Sequence, residues 1–167
     1  PGMAFGTGTH ETTSLCMKLM EKYLGEHPEE KKILDVGCGS GILSICGALL
    51  GSREILGIEN DEDAVRVGHE NVKENHVEDA DKVMQGDLTK GVDFKADVIV
   101  ANLMADLVML LSEDARKHLT EDGIFISSGI LVEKEEMVSA AIRAAGFRIV
   151  EIAEEGEWCA IAAVPEV

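Results

Sequence analysis

At 167 residues the chain is long enough to bury one sizeable core and too short for two domains of ordinary size, so a single domain over 1–167 is expected. An apolar fraction of 46% excludes a disordered chain, and no apolar run approaches the roughly 20 residues that a membrane span requires. The formal charge of −17 repels a phosphate backbone, which argues against direct nucleic-acid contact and for a basic protein as partner.

After a Gly/Thr-rich opening, apolar residues at Leu15, Leu19, Met20 and Leu24 recur at helical spacing and predict a helix over 12–24, with Thr12, Thr13 and Ser14 as candidate caps. A polar connector leads to Lys32-Ile-Leu-Asp-Val, a short buried strand that ends in glycines. From there the pattern alternates: helix 42–50, strand 54–58, helix 61–75, strands 82–85 and 96–101, helix 105–119, strand 123–127 and helix 132–145. Two late strands, 147–153 and 158–164, are separated by too few residues for a crossover and read as an antiparallel hairpin at the sheet edge. Strands alternating with helices in this way predict a doubly wound, Rossmann-like α/β domain with a mostly parallel sheet.

The four cysteines, Cys16, Cys38, Cys46 and Cys159, form no Cys-x-x-Cys pair and no ligand spacing with histidine, which fits reduced thiols in the cytoplasm. No metal site is expected. The His10-Glu11 pair does not open a zinc helix, because the second histidine of that motif falls at Ser14.

The segment Asp35-Val-Gly-Cys-Gly-Ser-Gly places Gly37, Gly39 and Gly41 between a strand and a helix, where a ligand approaches the backbone closely. Ile42 stands where a dinucleotide fingerprint has its last glycine, which tilts the reading from a nicotinamide cofactor toward S-adenosylmethionine. About 20 residues on, Glu59 ends the second strand, where a carboxylate accepts from both hydroxyls of a ribose. Taken alone it reads as a helix cap; coupled to the glycine loop, the ribose contact is favoured. Asp87, just past the third strand, is either an adenine-side residue or a solvated turn. Asn102, at the tip of the fourth strand, is either an amide facing the crevice or a turn and cap residue.

Four segments together carry a resemblance: Pro1-Gly-Met-Ala-Phe-Gly-Thr-Gly-Thr-His-Glu-Thr-Thr, Asp35-Val-Gly-Cys-Gly-Ser-Gly-Ile-Leu-Ser-Ile, Ala101-Asn-Leu-Met-Ala and Glu157-Trp-Cys. Over essentially its whole length the chain resembles the PrmA family, bacterial class I methyltransferases of large-subunit ribosomal protein eleven. The glycine loop alone indicates only the class; the Phe-Gly-Thr-Gly-Thr-His segment is the family-specific part. The resemblance implies a seven-stranded sheet, S-adenosyl-L-methionine as cofactor, and cofactor contacts at Thr13, Gly37, Glu59 and Asn102. It further implies methyl transfer to lysine ε-amines and an N-terminal α-amine. Two residues depart conservatively from the family pattern: Glu59 replaces the usual Asp, and Asn-Leu-Met-Ala replaces Asn-Ile-Leu-Ala. The family also carries an N-terminal substrate-recognition domain and linker ahead of the Phe-Gly-Thr segment, which this chain does not include.

A lysine amine, with a reference pKa of about 10.4, must lose its proton before it attacks. His10 is the candidate acceptor by residue type, with a loop-packing role as the alternative; Asn102 is the candidate for orienting the amine. Rival readings are a nicotinamide-dependent oxidoreductase, disfavoured by the glycine spacing, and a glutamine-modifying methyltransferase, whose Asn-Pro-Pro-Tyr signature is missing after strand four. Another class I methyltransferase acting on a protein or small molecule, and a non-catalytic cofactor-binding module, complete the set.

Overall fold

Strand segments that are apolar on both faces cannot stand at a surface, and the helices between them each offer one apolar stripe, so the helices cover the sheet on both sides. The computed structural model describes residues 9–166, with side chains from Glu11 onward. Its elements are α1 (Thr9–Leu24), β1 (Lys32–Val36), α2 (Ile42–Leu50), β2 (Glu54–Glu59), α3 (Glu62–Glu74), β3 (Asp81–Gln85) and β4 (Ala96–Asn102). They continue with α4 (Ala105–Ala115), β5 (Leu119–Leu131), α5 (Glu135–Ala144), β6 (Phe147–Glu155) and β7 (Trp158–Pro165).

The seven strands form one sheet in the order β3-β2-β1-β4-β5-β7-β6. All neighbours are parallel except β7, which runs antiparallel between β5 and β6. The late hairpin is therefore present, but its second strand inserts inward, and the edge is formed by β6. Leu15, Leu19, Met20 and Leu24 of α1 and Leu43 of α2 pack with Ile33, Val98, Val100 and Ile126 on one face. On the other, Val108 and Leu111 of α4 and Val138 and Ile142 of α5 pack with Leu34, Val36, Ile58, Ile99 and Phe125. The chain order reverses about β1, with β2 on one side and β4 on the other, and that switch point opens a crevice at the strands' carboxyl ends.

Among the boundaries that differ from expectation are those of α1, α4 and β5. Helix α1 starts at Thr9, so Thr12 and Thr13 lie inside it as fully or nearly buried residues and are not its caps. Helix α4 ends at Ala115, short of the expected 119, because a 3-10 turn over Arg116–His118 brings Leu119 into register with Ala96. Strand β5 is 13 residues long, beyond the expected 123–127: the buried Ser127 and Ser128 keep pairing with Ala101 and Asn102 despite their low strand propensity.

Candidate active site

The floor of the crevice is the loop after β1. The amides of Gly37 and Cys38 both donate to the Ile58 carbonyl, at 2.8 and 2.9 Å, which bends the backbone across the end of β2. Gly37 has φ +72°, and a Cβ there would collide with the Leu103 side chain from the loop after β4. Glycine is thus favoured for its left-handed backbone, and any larger residue would also have to displace the Leu103 side chain.

Glu59 fastens that loop. Its Oε1 accepts from the Gly39 amide at 2.8 Å and its Oε2 from the Asp61 amide at 2.9 Å. The N-cap of α3 is Asp61, whose own side chain accepts from Asp63. Glu59 therefore orders the entrance to α3 without being its N-cap, and it lines the crevice with lone pairs left on each oxygen for hydroxyl donors.

Asn102 is the last residue of β4, paired with Ser128, and the N-cap of α4 is Met104, so Asn102 caps nothing. Its Nδ2 reaches Thr13 Oγ1 at 3.4 Å, while its Oδ1 is buried with no hydrogen-bond partner. Asp87 is exposed beyond β3 and holds Lys90 Nζ at 3.0 Å. His10 lies in the first turn of α1, but its side chain and most of the opening motif fall outside the described residues.

Thr13, Gly37, Gly39, Glu59, Asp87 and Asn102 all line one cavity of about 570 Å³. Two features of that cavity escape a reading of the sequence alone. Asp35, 1% exposed, accepts from Ser44 Oγ at 2.7 Å through Oδ2, while Oδ1 is buried without a partner. Burial, reinforced by the Glu59 charge and opposed by the Ser44 hydrogen bonds, pushes its carboxyl up to about 6. A lone carboxylate in the buried strand Ile-Leu-Asp-Val is the signal that could have found it. The second feature is an apolar rim, Ile42, Met104, Leu107 and Leu110, all solvent-exposed. The helical pattern identifies these residues only as apolar, and the pattern does not separate rim from core.

The pieces are chemically complementary to a cationic ligand with an apolar ring and a diol. Two buried acceptors, Asp35 Oδ1 and Asn102 Oδ1, are vacant, and an unmatched buried acceptor costs roughly 1 to 3 kcal/mol. The acid at the end of β2 suits hydroxyl donors, and the rim suits a ring.

Comparison with known proteins decides the family. The family model described as ribosomal protein L11 methyltransferase (PrmA) matches residues 1–166. The chain belongs to this family. Curated relatives named ribosomal protein L11 methyltransferase include those of Alkaliphilus oremlandii, 45% identical over 161 residues, and Alkaliphilus metalliredigens, 47% identical over 161 residues. In each case 96% of this chain and 50% of the relative are covered, so the chain spans about half the length of the curated relatives it matches. Among solved structures, the ribosomal protein L11 methylase of Lactobacillus delbrueckii subsp. bulgaricus aligns with a TM-score of 0.90 at 31% identity, over 96% of this chain and 81% of that one. The precorrin-6y C5,15-methyltransferase of Geobacter metallireducens aligns with a TM-score of 0.76 at 13% identity, over 98% and 92% of the two chains; that likeness concerns the fold alone, the class I methyltransferase sheet.

Proposed function

We propose that this PrmA-family chain binds S-adenosyl-L-methionine at the carboxyl end of β1 and carries, as one domain over 1–167, the methyl transfer to amines of ribosomal protein L11, its lysine ε-amines and N-terminal α-amine. The observation that carries the reading is the pair of vacant buried acceptors, Asp35 Oδ1 and Asn102 Oδ1, in the cavity floored by the glycine loop. The cofactor suits such a site: it brings an ammonium, a ribose diol, an adenine ring and a sulfonium methyl open to nucleophilic attack.

In this assignment Gly37 and Gly39 give the backbone cradle, Glu59 takes the ribose hydroxyls and Thr13 steadies the amide of Asn102. Asp87 and the rim residues flank the ring. Asn102 Oδ1 accepts from the substrate amine and aims its lone pair, so catalysis is mainly positioning. The amine must shed a proton, and His10 is the acceptor by residue type. A strongly acidic chain attracts a basic protein substrate, and the four free cysteines fit a reducing cytoplasm. Among the described residues no helix is long and apolar enough to cross a membrane.

The test is calorimetric titration with S-adenosylmethionine and S-adenosylhomocysteine of the chain and of Gly37→Val, followed by methyl transfer to purified L11. Saturable binding lost in the variant, with label appearing in L11, is expected. Binding without transfer to L11 leaves a cofactor-binding module or another substrate; no binding by the folded chain overturns the proposal.

A further inference from the structure

Strand β5 breaks its own ladder beside the site. Its register against β7 shifts between Ser127 and Ile130, so Ser128 and Gly129 form an irregular stretch facing the tip of β4. Ser128 is completely buried and makes two bonds in different directions. Its Oγ donates to the Thr12 carbonyl of α1 at 2.9 Å, and its own carbonyl accepts from the Leu103 amide at 3.1 Å. One residue thus ties the turn of α1 that carries Thr13 to the loop that follows Asn102.

Gly129 completes the arrangement. With φ +83°, its missing Cβ would lie 2.5 Å from the Leu103 carbonyl and 3.1 Å from Asn102 Oδ1. Any side chain there invades the space of the amide assigned to the amine. The Asn102 to Thr13 hydrogen bond is itself long, at 3.4 Å, so on its own it holds that pair only weakly.

We propose that Ser128 is a positioning residue of the methyltransferase site, a brace that sets the separation of Thr13 and Asn102 across the cofactor cavity, with Gly129 as the clearance that the brace needs. The inference rests on the cofactor site proposed above and adds what holds its two sides in place. Ser128 touches no reacting atom; it acts through Thr13 and Asn102.

A thermodynamic cycle tests it, with S-adenosylhomocysteine affinity read by calorimetry for the wild type, Ser128→Ala, Thr13→Ala and the double variant. Ser128→Ala is expected to weaken binding by about five- to tenfold, the worth of one buried hydrogen bond, and by less than about twofold once Thr13 is already alanine, because neighbours in one network couple. Gly129→Ala, which leaves the serine in place, is expected to weaken binding comparably. Denaturation of each variant monitors the fold, and a serine that merely stabilises β5 would lower the melting temperature without any coupling to Thr13. An equal loss in both backgrounds, or no loss in Ser128→Ala, overturns the brace while leaving the cofactor site standing. A folded wild type that does not bind overturns both.

Discussion

Replacing Asp35 with asparagine separates what the site costs the fold from what it supplies to the ligand. The Asp35 carboxyl is 1% exposed, has one oxygen without a hydrogen-bond partner, and is pushed by burial from the ordinary 3.8 up to about 6. Burial is the first cause, so the folded state disfavours the charge. Two pH units at 1.36 kcal/mol each make the charged form about 3 kcal/mol less favourable in the fold than in the unfolded chain. The sign follows from a raised acid. Below pH 3.8 the group is protonated in both states and imposes no penalty; stability falls as pH rises through about 6 and is then constant. The substituted asparagine carries no charge, still accepts from Ser44, and its buried amide hydrogens cost a fixed amount at every pH. Between about pH 4 and 7.5 the variant should therefore gain about 3 kcal/mol on the wild type, which for a domain of this size is roughly 6 to 12 °C in melting temperature at the upper pH. Urea denaturation of both ligand-free proteins at intervals of about half a pH unit measures it. Parallel stability curves would refute the reasoning, because an unstrained carboxyl gives no differential slope. The variant should also lose affinity for S-adenosylmethionine, whose ammonium would no longer meet a carboxylate; stability gained and binding lost together mark a charge kept for function.

Asp81 provides the contrast. It is 2% exposed with neither oxygen partnered, and burial together with the Asp35 charge pushes it up to about 7. It lines a separate cavity with His69 and Val72, so Asp81→Asn should be stabilising at about pH 8, with the gain fading toward about pH 4, while cofactor affinity measured by calorimetry stays unchanged. Asn102→Ala should lower the turnover of L11 methylation by roughly 10- to 100-fold, the worth of a hydrogen bond to a charged group, and weaken cofactor binding much less; equal losses in single-turnover and binding measurements would count against the orienting role.

How far the site is legible depends on whether its signal is local. That Gly37, Glu59 and Asn102 line the cavity is legible because each sits at the end of a buried strand, and a strand end in a parallel sheet is where the crevice must be. Asp35 belongs to the glycine-loop motif, yet its vacancy is a three-dimensional fact: Ser44 satisfies one oxygen and nothing satisfies the other. Ser128 leaves only a faint trace, two serines and a glycine in an apolar strand. Their purpose depends on Thr12, 116 residues away along the chain.

The alternation of apolar strands with amphipathic helices settles the layered α/β architecture, and the glycine spacing marks the strand end where the backbone stays open to close approach, because both follow from periodicities of about two and 3.6 residues and from glycine's lack of a side chain. The neighbours of each strand are a different matter. That β7 inserts between β5 and β6, that β5 runs on to Leu131, and that α1 brings Thr13 to Asn102 are decided by burial of the whole sheet. Long-range pairing answers to the packing of both faces at once, and no window of local sequence contains that sum.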